Sequence, residues 1–213
     1  MQWNPDILNS LVAPGISTFT TAEIPDLSSE FPQADWWITN HFLNTVLRAR
    51  FRDRWRQVVL GFVRRAQNAF AAYHDARTLT LEYLDGNDPL NPRVRKYYAS
   101  VSAWEDFVLQ VSMAIELFNW LNGGGLAFRR NDGSKEQRLY SIANHVKHTS
   151  KCVDSGQCQE SQSTPVWLAN SGIASFGVSV SYAEASGILR DVAKLAETFQ
   201  DPYKFRRESG NAD

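Results

Sequence analysis

Residues 93–122, RVRKYYASVSAWEDFVLQVSMAIELFNWLN, decide the fold class of this chain. Large apolar side chains recur there at alternating spacings of four and three, which is the heptad pattern of a helix that packs along another helix. The positions of this seam are Tyr97, Val101, Trp104, Val108, Val111, Ile115 and Phe118. The pattern predicts a long helix from about Arg93 to Asn122 that has a long helical partner.

The partner is predicted immediately upstream. From about Ala34 to Leu84 apolar residues again recur at spacings of three and four, which indicates one buried stripe on a helix. The run Gly86-Asn87-Asp88-Pro89 then ends this helix. Two long helices joined by so short a loop predict an antiparallel pair. We therefore predict a mainly α fold, a helical bundle on two long antiparallel helices.

The flanking segments predict smaller elements. Residues 1–33 are rich in Ser, Thr, Pro and Asn and predict an extended N-terminal arm, anchored by Trp3, Ile7, Leu8 and Phe19. Downstream, Ser134 with Gln137 is a capping-box pattern that opens a helix ending at about His148 or Cys152, and a loop is predicted for 151–164.

A small β-hairpin is predicted near residues 165–180, where β-branched and aromatic residues flank a turn signal. Ser181 with Glu184 is a second capping box, and it opens a C-terminal helix. These elements make one helical domain over 34–200, followed by a flexible tail over 201–213.

Composition narrows the class of protein. The chain has 213 residues, 43% hydrophobic and 21% charged, which is ordinary for a globular protein. Its formal net charge of −1 argues against a dedicated polycationic surface for nucleic acid. We find neither the basic and apolar pattern of a secretory signal nor an apolar run long enough for a membrane span. Two cysteines in such a chain favour thiols in a reducing compartment, so we predict a cytoplasmic protein without membrane association.

The candidate catalytic residues lie in the Ser134 helix. Arg138 and His145 are seven residues apart, so they share one helical face about 10 Å apart along the axis. An imidazole titrates near neutrality and a guanidinium binds phosphate in a bidentate manner, which suits metal-free cleavage of RNA. Asn144 adds a neutral donor and acceptor beside the histidine. The alternative is an ordinary amphipathic helix on which Arg138 and His145 form caps or ion pairs.

The Arg-x6-His spacing within a bundle on two long antiparallel helices resembles the HEPN family of prokaryotic toxins and antiviral-defence proteins. The resemblance covers about residues 35–200 and implies a homodimer that cleaves RNA without a metal and leaves a cyclic phosphate. Arg138 would bind phosphate, His145 would act as general base or acid, and Asn144 would orient one of them. Leu139 departs from the polar residue that many active members carry after the arginine, and the family includes members without nuclease activity. A non-catalytic helical interaction or regulatory module is therefore the alternative function.

Further basic residues extend the predicted phosphate site. Arg129 and Arg130 precede the capped start of the Arg138 helix, where a helix N-terminus already favours an anion, and Lys147 lies near its end. The alternative for the two arginines is a pair of solvated turn residues. A second array of arginines on the first long helix could follow a phosphate backbone, although a buried stripe through Trp55 with arginines neutralised by nearby acids explains it better. The array consists of Arg48, Arg50, Arg52, Arg54, Arg56, Arg64 and Arg65. RNA and a protein partner are the two classes of partner, besides a second copy, that these hypotheses predict.

A metal site is an alternative use of the same stretch. His145, His148, Cys152 and Cys158 offer two imidazoles and two thiols, a suitable tetrahedral set for zinc that would make the chain a zinc-stabilised regulatory protein. Their spacing matches no common structural zinc pattern. The prediction is therefore that the protein uses no cofactor and no metal.

Overall fold

The structure is a computed structural model that describes residues 3–48, 53–128, 131–156 and 163–200. Within these residues the fold is mainly helical with a small antiparallel sheet, as the sequence predicts. The helices are α1 (Pro5–Leu11), α2 (Trp37–Arg48), α3 (Asp53–Leu84), α4 (Val94–Leu121), α5 (Lys135–Lys147), α6 (Thr149–Asp154) and α7 (Tyr182–Gln200). The strands are β1 (Trp167–Ala169), β2 (Gly172–Ser175) and β3 (Val178–Ser181), and short 3₁₀ turns cover Ile16–Thr18 and Ala34–Trp36.

The predicted antiparallel pair is formed by α3 and α4, which pack closely along their lengths. Trp104 of α4 is fully buried, and its indole N–H donates to the Thr80 hydroxyl of α3 at 3.0 Å. Tyr73 of α3 meets the Trp104 ring edge-on, with centroids 5.6 Å apart. At the connecting loop the Arg93 guanidinium donates to the carbonyl oxygens at the end of α3, those of Glu82, Tyr83 and Asp85. One side chain thus satisfies carbonyls that a helix C-terminus leaves without partners.

The prediction of one continuous helix from Ala34 to Leu84 is wrong. In a single helix Ile38 and Gln67 would lie roughly 40 Å apart. Instead the Ile38 N–H of α2 donates to the Gln67 amide oxygen of α3 at 2.9 Å. The Gln67 amide group in turn donates to the Asp35 carbonyl oxygen at 3.0 Å, and Trp37 packs on Phe70 with ring centroids 5.6 Å apart. The start of α2 therefore lies against the middle of α3.

The N-terminal segment is more ordered than an extended arm, because it contains α1 and contributes to the main core. Of its predicted anchors Leu8 and Phe19 are buried, whereas Trp3 and Ile7 are about half exposed. The Val12 carbonyl oxygen accepts from the Tyr98 hydroxyl at 2.6 Å. Further buried apolar residues in this segment are Ala13, Ile16, Ile24, Leu27 and Phe31.

The sheet is a meander of three strands in the order β1-β2-β3, one strand more than the predicted hairpin. Gly172 of β2 faces Ala169 on one side and Ser181 on the other. Space requires a glycine there, since a Cβ atom would lie 2.2 Å from the Val180 carbonyl oxygen. The two-residue turn to β3 contains Gly177 at φ 76°.

The two helix starts that the sequence predicts from capping boxes, at Ser134 and at Ser181, are correct. Ser134 caps α5 by accepting from the Gln137 N–H at 3.2 Å. Ser181 and Glu184 form a reciprocal capping box at the start of α7, with bonds of 3.0 and 3.1 Å. The loop predicted for 151–164 begins later than expected, because α6 extends to Asp154. The predicted tail, residues 201–213, lies outside the described residues.

None of the helices that the structure describes is both long enough and apolar enough to cross a membrane.

Candidate functional site

The candidate site is built on α5, which lies between α4 and the sheet. Leu139, Ile142 and Ala143 are buried and fix the face that α5 turns to the core. Leu139 therefore occupies a core position, which explains why an apolar residue follows the arginine of the motif. Arg138 and His145 project from α5 toward the sheet, one toward β3 and the other toward the end of β2.

Arg138 is engaged by three different parts of the fold. Its Nη1 donates to the Ser179 carbonyl oxygen of β3 at 2.6 Å, and its Nε donates to the Gly133 carbonyl oxygen at 3.2 Å. Its Nη2 lies 2.5 Å from Oε1 of Glu184, and the other carboxylate oxygen, Oε2, accepts the Ser181 N–H in the capping box. The Arg138 guanidinium, more than the capping bonds, holds the pKa of Glu184 below its ordinary value. The guanidinium is thus both hydrogen-bonded and charge-compensated within the chain.

His145 is oriented by a serine. Its Nδ1 lies 2.8 Å from the Ser175 hydroxyl oxygen, and Ser175 is fully buried. The Ser175 hydroxyl donates its proton to the Pro165 carbonyl oxygen at 2.6 Å, so its oxygen accepts from His145 and Nδ1 carries the proton. The ring also packs on Phe176, with centroids 5.3 Å apart. Burial lowers the pKa of His145, which favours the neutral imidazole with Nε2 as its acceptor.

Asn144 and Lys147 belong to a different face of α5. The hydroxyl of Tyr140 interacts with the side chains of Asn144 and Glu116, and burial, followed by the Glu116 charge, raises the pKa of Tyr140. Lys147 Nζ lies 3.4 Å from the Glu116 carboxylate and 5.9 Å above the Tyr140 ring. Asn144 therefore contacts Tyr140 on this face and not the Arg138 and His145 side chains, and Lys147 is paired with the Glu116 carboxylate.

The remaining residues of the predicted phosphate and metal sites are partly outside the structure. Arg129, Arg130 and Cys158 lie beyond the described residues. His148 is exposed at the junction of α5 and α6, and Cys152 is a buried free thiol. In the part of the chain that the structure describes, no three His, Cys, Asp or Glu side chains are arranged to hold a metal ion.

The second arginine array is engaged within the fold in part. Arg65 of α3 donates to the Gln110 side chain of α4 at 2.9 Å, while Arg64 is exposed. Trp55 packs edge-on against Trp120, with ring centroids 6.4 Å apart, so its ring is part of the contact between α3 and α4. The contacts of Arg65 and Trp55 favour a structural role for these residues over contact with a phosphate backbone.

The structure contains a groove that the sequence did not reveal. It has a volume of about 400 Å³ and lies between residues 28–35 and the middle of α3. Phe31 and Phe70 lie in its floor, and His74, Asp35 and Asp75 line it. In the continuous helix that the sequence predicted, Asp35 and Asp75 would be roughly 60 Å apart. No local pattern could have joined them, because the fold of α2 back along α3 creates the groove.

Comparison of the chain with protein-family models, with curated proteins and with solved structures gave no match to any of the three.

Proposed function

We propose that the chain is a non-catalytic helical interaction module with a HEPN-like scaffold, in which Arg138 and His145 hold the sheet to the bundle. The observation that carries the proposal is the engagement of the Arg138 guanidinium by Glu184, Ser179 and Gly133. A catalytic arginine needs N–H groups and positive charge directed at a phosphate. Here the charge is compensated by Glu184, and three N–H groups have acceptors within the fold.

Exposed apolar side chains support the interaction part of the proposal. Around α2, Trp36 is 58%, Phe42 57% and Leu43 46% exposed. Phe42 and Leu43 are consecutive residues of α2, and Trp36 directly precedes the helix, so the three exposed side chains lie around its first half. Clusters of large exposed apolar residues are typical of protein contact sites. We propose this part of α2 as the contact face, for a second copy or for another protein, in a cytoplasmic setting.

Metal-independent RNA cleavage is the second candidate, and one observation favours it. Ser175 and the Pro165 carbonyl fix the tautomer of His145, so that Nε2 is a neutral base near pH 7. A histidine oriented by a third group is what a general base requires. In this alternative two protomers would pair their motifs, and the function would belong to the toxin or antiviral-defence class that the HEPN resemblance implies.

A nuclease assay separates the two functions. Protein purified with EDTA is incubated with a structured and an unstructured RNA, and products are analysed for cyclic phosphate ends. We expect no cleavage above that of a protein-free blank, either by the parent chain or by the control variant His148→Ala, which removes an exposed histidine three residues away. Cleavage that His145→Ala abolishes while circular dichroism stays unchanged would instead establish the ribonuclease.

The structural role of Arg138 is tested by stability. We expect Arg138→Ala to lower the free energy of unfolding by about 2 kcal/mol, because three hydrogen bonds are lost and Glu184 keeps an uncompensated charge. Arg64→Ala, at an exposed position on α3, should change it by less than about 0.5 kcal/mol. Urea unfolding followed by tryptophan fluorescence measures both. Equal effects of the two substitutions would contradict a structural role.

A further inference from the structure

The groove between residues 28–35 and α3 has an apolar interior and a polar edge. Its apolar lining comes from Phe31, Pro32, Ala34, Phe70 and Ala71. Phe31 and Phe70 are buried and meet edge-on, with ring centroids 5.9 Å apart. A volume of about 400 Å³ falls in the range of pockets that bind small molecules. The groove is thus large enough for one ring or branched chain with a polar head.

The charges at the groove are negative. Asp35 and Asp75 line it and are exposed, and neither carboxylate has a cationic partner among the described residues. Arg77 does not neutralise them, because its guanidinium pairs with the Asp26 carboxylate at 3.4 Å. Asp26 also accepts the N–H and hydroxyl of Ser28, and these bonds lower the pKa of Asp26. Two uncompensated carboxylates therefore remain beside the apolar lining of the groove.

His74 is the remaining polar side chain of the groove wall. Its ring packs on Phe70 with centroids 4.8 Å apart and meets Tyr73 edge-on at 6.1 Å. Its Nε2 is buried and has no hydrogen-bond partner in the part of the chain that the structure describes. A buried ring nitrogen without a partner costs stability, so a hydrogen-bond partner supplied from the groove would be favourable.

We propose that this groove binds a small organic cation, a protonated amine carried on an aromatic or branched aliphatic body. The apolar body would lie against Pro32, Phe70 and Ala71 of the lining. The ammonium group would lie between Asp35 and Asp75, and one of its N–H groups would serve His74. An anion is disfavoured by the two carboxylates, and a neutral apolar molecule would desolvate them without compensation. The proposal is independent of the proposed function, since none of these residues belongs to the α5 site.

Nuclear magnetic resonance titration with 2-phenylethylamine and isopentylamine tests the proposal. We expect saturable shifts of the His74 ring and Asp75 backbone signals, with at least tenfold weaker binding of the neutral isostere 2-phenylethanol and of 3-phenylpropionate. The Asp35→Asn, Asp75→Asn double variant should bind both amines at least tenfold more weakly. Glu82→Gln, two turns further along the exposed side of α3, should bind them as the parent chain does.

Three results would overturn the proposal. They are shifts that do not saturate, equal binding of the amines and 2-phenylethanol, and unchanged amine binding by the double aspartate variant. The amide spectrum of the double variant shows whether it remains folded. If it does not, Ala71→Trp, an exposed position of the groove lining on α3, replaces it and should block amine binding sterically.

Discussion

At the scale of single residues, Arg138 and His145 use the same face of one helix for different tasks. Arg138 joins α5 to β3 and to the first turn of α7, and so fixes the position of the sheet relative to two helices. His145 joins the end of α5 to β2 through a buried serine. The pairing between Arg138 and Glu184 is partly exposed, so its Coulomb energy is modest, and the two backbone acceptors of Arg138 give the contact its directionality.

The pH dependence of stability follows from the direction of the His145 shift. Burial lowers the pKa of His145 in the folded state, so below its ordinary value of about 6.5 the unfolded chain takes up a proton more readily. The same holds for His41, whose burial also lowers its pKa. The contribution of these two histidines to stability should therefore be constant above about pH 6.5 and decline as the pH falls toward their lowered folded-state pKa values.

Thermal unfolding between pH 5 and 8 measures this effect. His145→Gln keeps a donor for Ser175 but cannot titrate, so we expect a shallower decline on the acid side. His148→Gln should leave the decline unchanged, because His148 is exposed. The measurements stay above pH 5 so that Glu184 does not contribute. Its pKa is lowered in the folded state, so its stabilising effect is lost only as the pH falls below the ordinary carboxyl value. A decline toward pH 5 that is equally steep in His145→Gln and in the parent chain would contradict a lowered pKa of His145 in the folded state.

At the scale of elements, the β2–β3 hairpin requires a glycine at two positions, Gly172 and Gly177, for different physical reasons. A Cβ atom at Gly172 would lie 2.2 Å from the Val180 carbonyl oxygen, whereas a Cβ atom at Gly177 would meet nothing within 4 Å. Position 177 requires a glycine because its backbone is left-handed, at φ 76°, and not because space is limited.

Alanine substitutions distinguish these reasons. Gly172→Ala should separate β2 from β3 and lower the unfolding free energy by roughly 3 kcal/mol. Gly177→Ala should cost only about 1 kcal/mol, the cost of a left-handed residue with a side chain. Hydrogen exchange adds a second measure, because only Gly172→Ala should expose the amides paired between β2 and β3. Equal exchange in the two variants would show that space at Gly172 is not limiting.

The predictability of the elements follows from the range of the interactions that define them. The seam of α4 and both serine caps were correct, because heptads and capping boxes are patterns within a few residues. The chain reversal between α2 and α3 was missed, since the helical periodicity continues on both sides of it. What reveals the reversal is the contact of Ile38 with Gln67, which lies 29 residues away. The positions of Arg138 and His145 on one face were predictable, but their partners Glu184 and Ser175 were not.

At the scale of the whole molecule, the N-terminal segment belongs to the same core as the helices. Phe19 is buried against Tyr83 and Tyr97, with ring centroids 5.7 and 6.3 Å away. The Asn170 side chain accepts the N–H groups of Thr20 and Thr21 at 3.0 and 3.3 Å, which ties the segment to the sheet. The polar composition of residues 1–33 predicted an extended arm. Its isolated apolar residues form no periodic pattern, so the sequence alone does not show that they are buried against distant helices.

Substitutions within this segment test its contribution to the core. Phe19→Ala should lower the free energy of unfolding by about 3–5 kcal/mol, as is usual for removal of a buried aromatic ring. Ile7→Ala, on the exposed side of α1, should change it by less than about 0.5 kcal/mol. Chemical denaturation followed by circular dichroism compares the two variants. A loss near zero for Phe19→Ala would mean that the segment lies outside the cooperative unit.

The contact between Asn170 and Thr20 has a consequence for how the chain folds during synthesis. The two residues are 150 positions apart, so Thr20 leaves the ribosome long before its partner exists. At the usual rates of translation this interval lasts roughly ten to thirty seconds. During that time Phe19 and its apolar neighbours have no complete surface on which to be buried. The apolar side chains of the nascent segment therefore stay accessible until the sheet emerges and the chain can close.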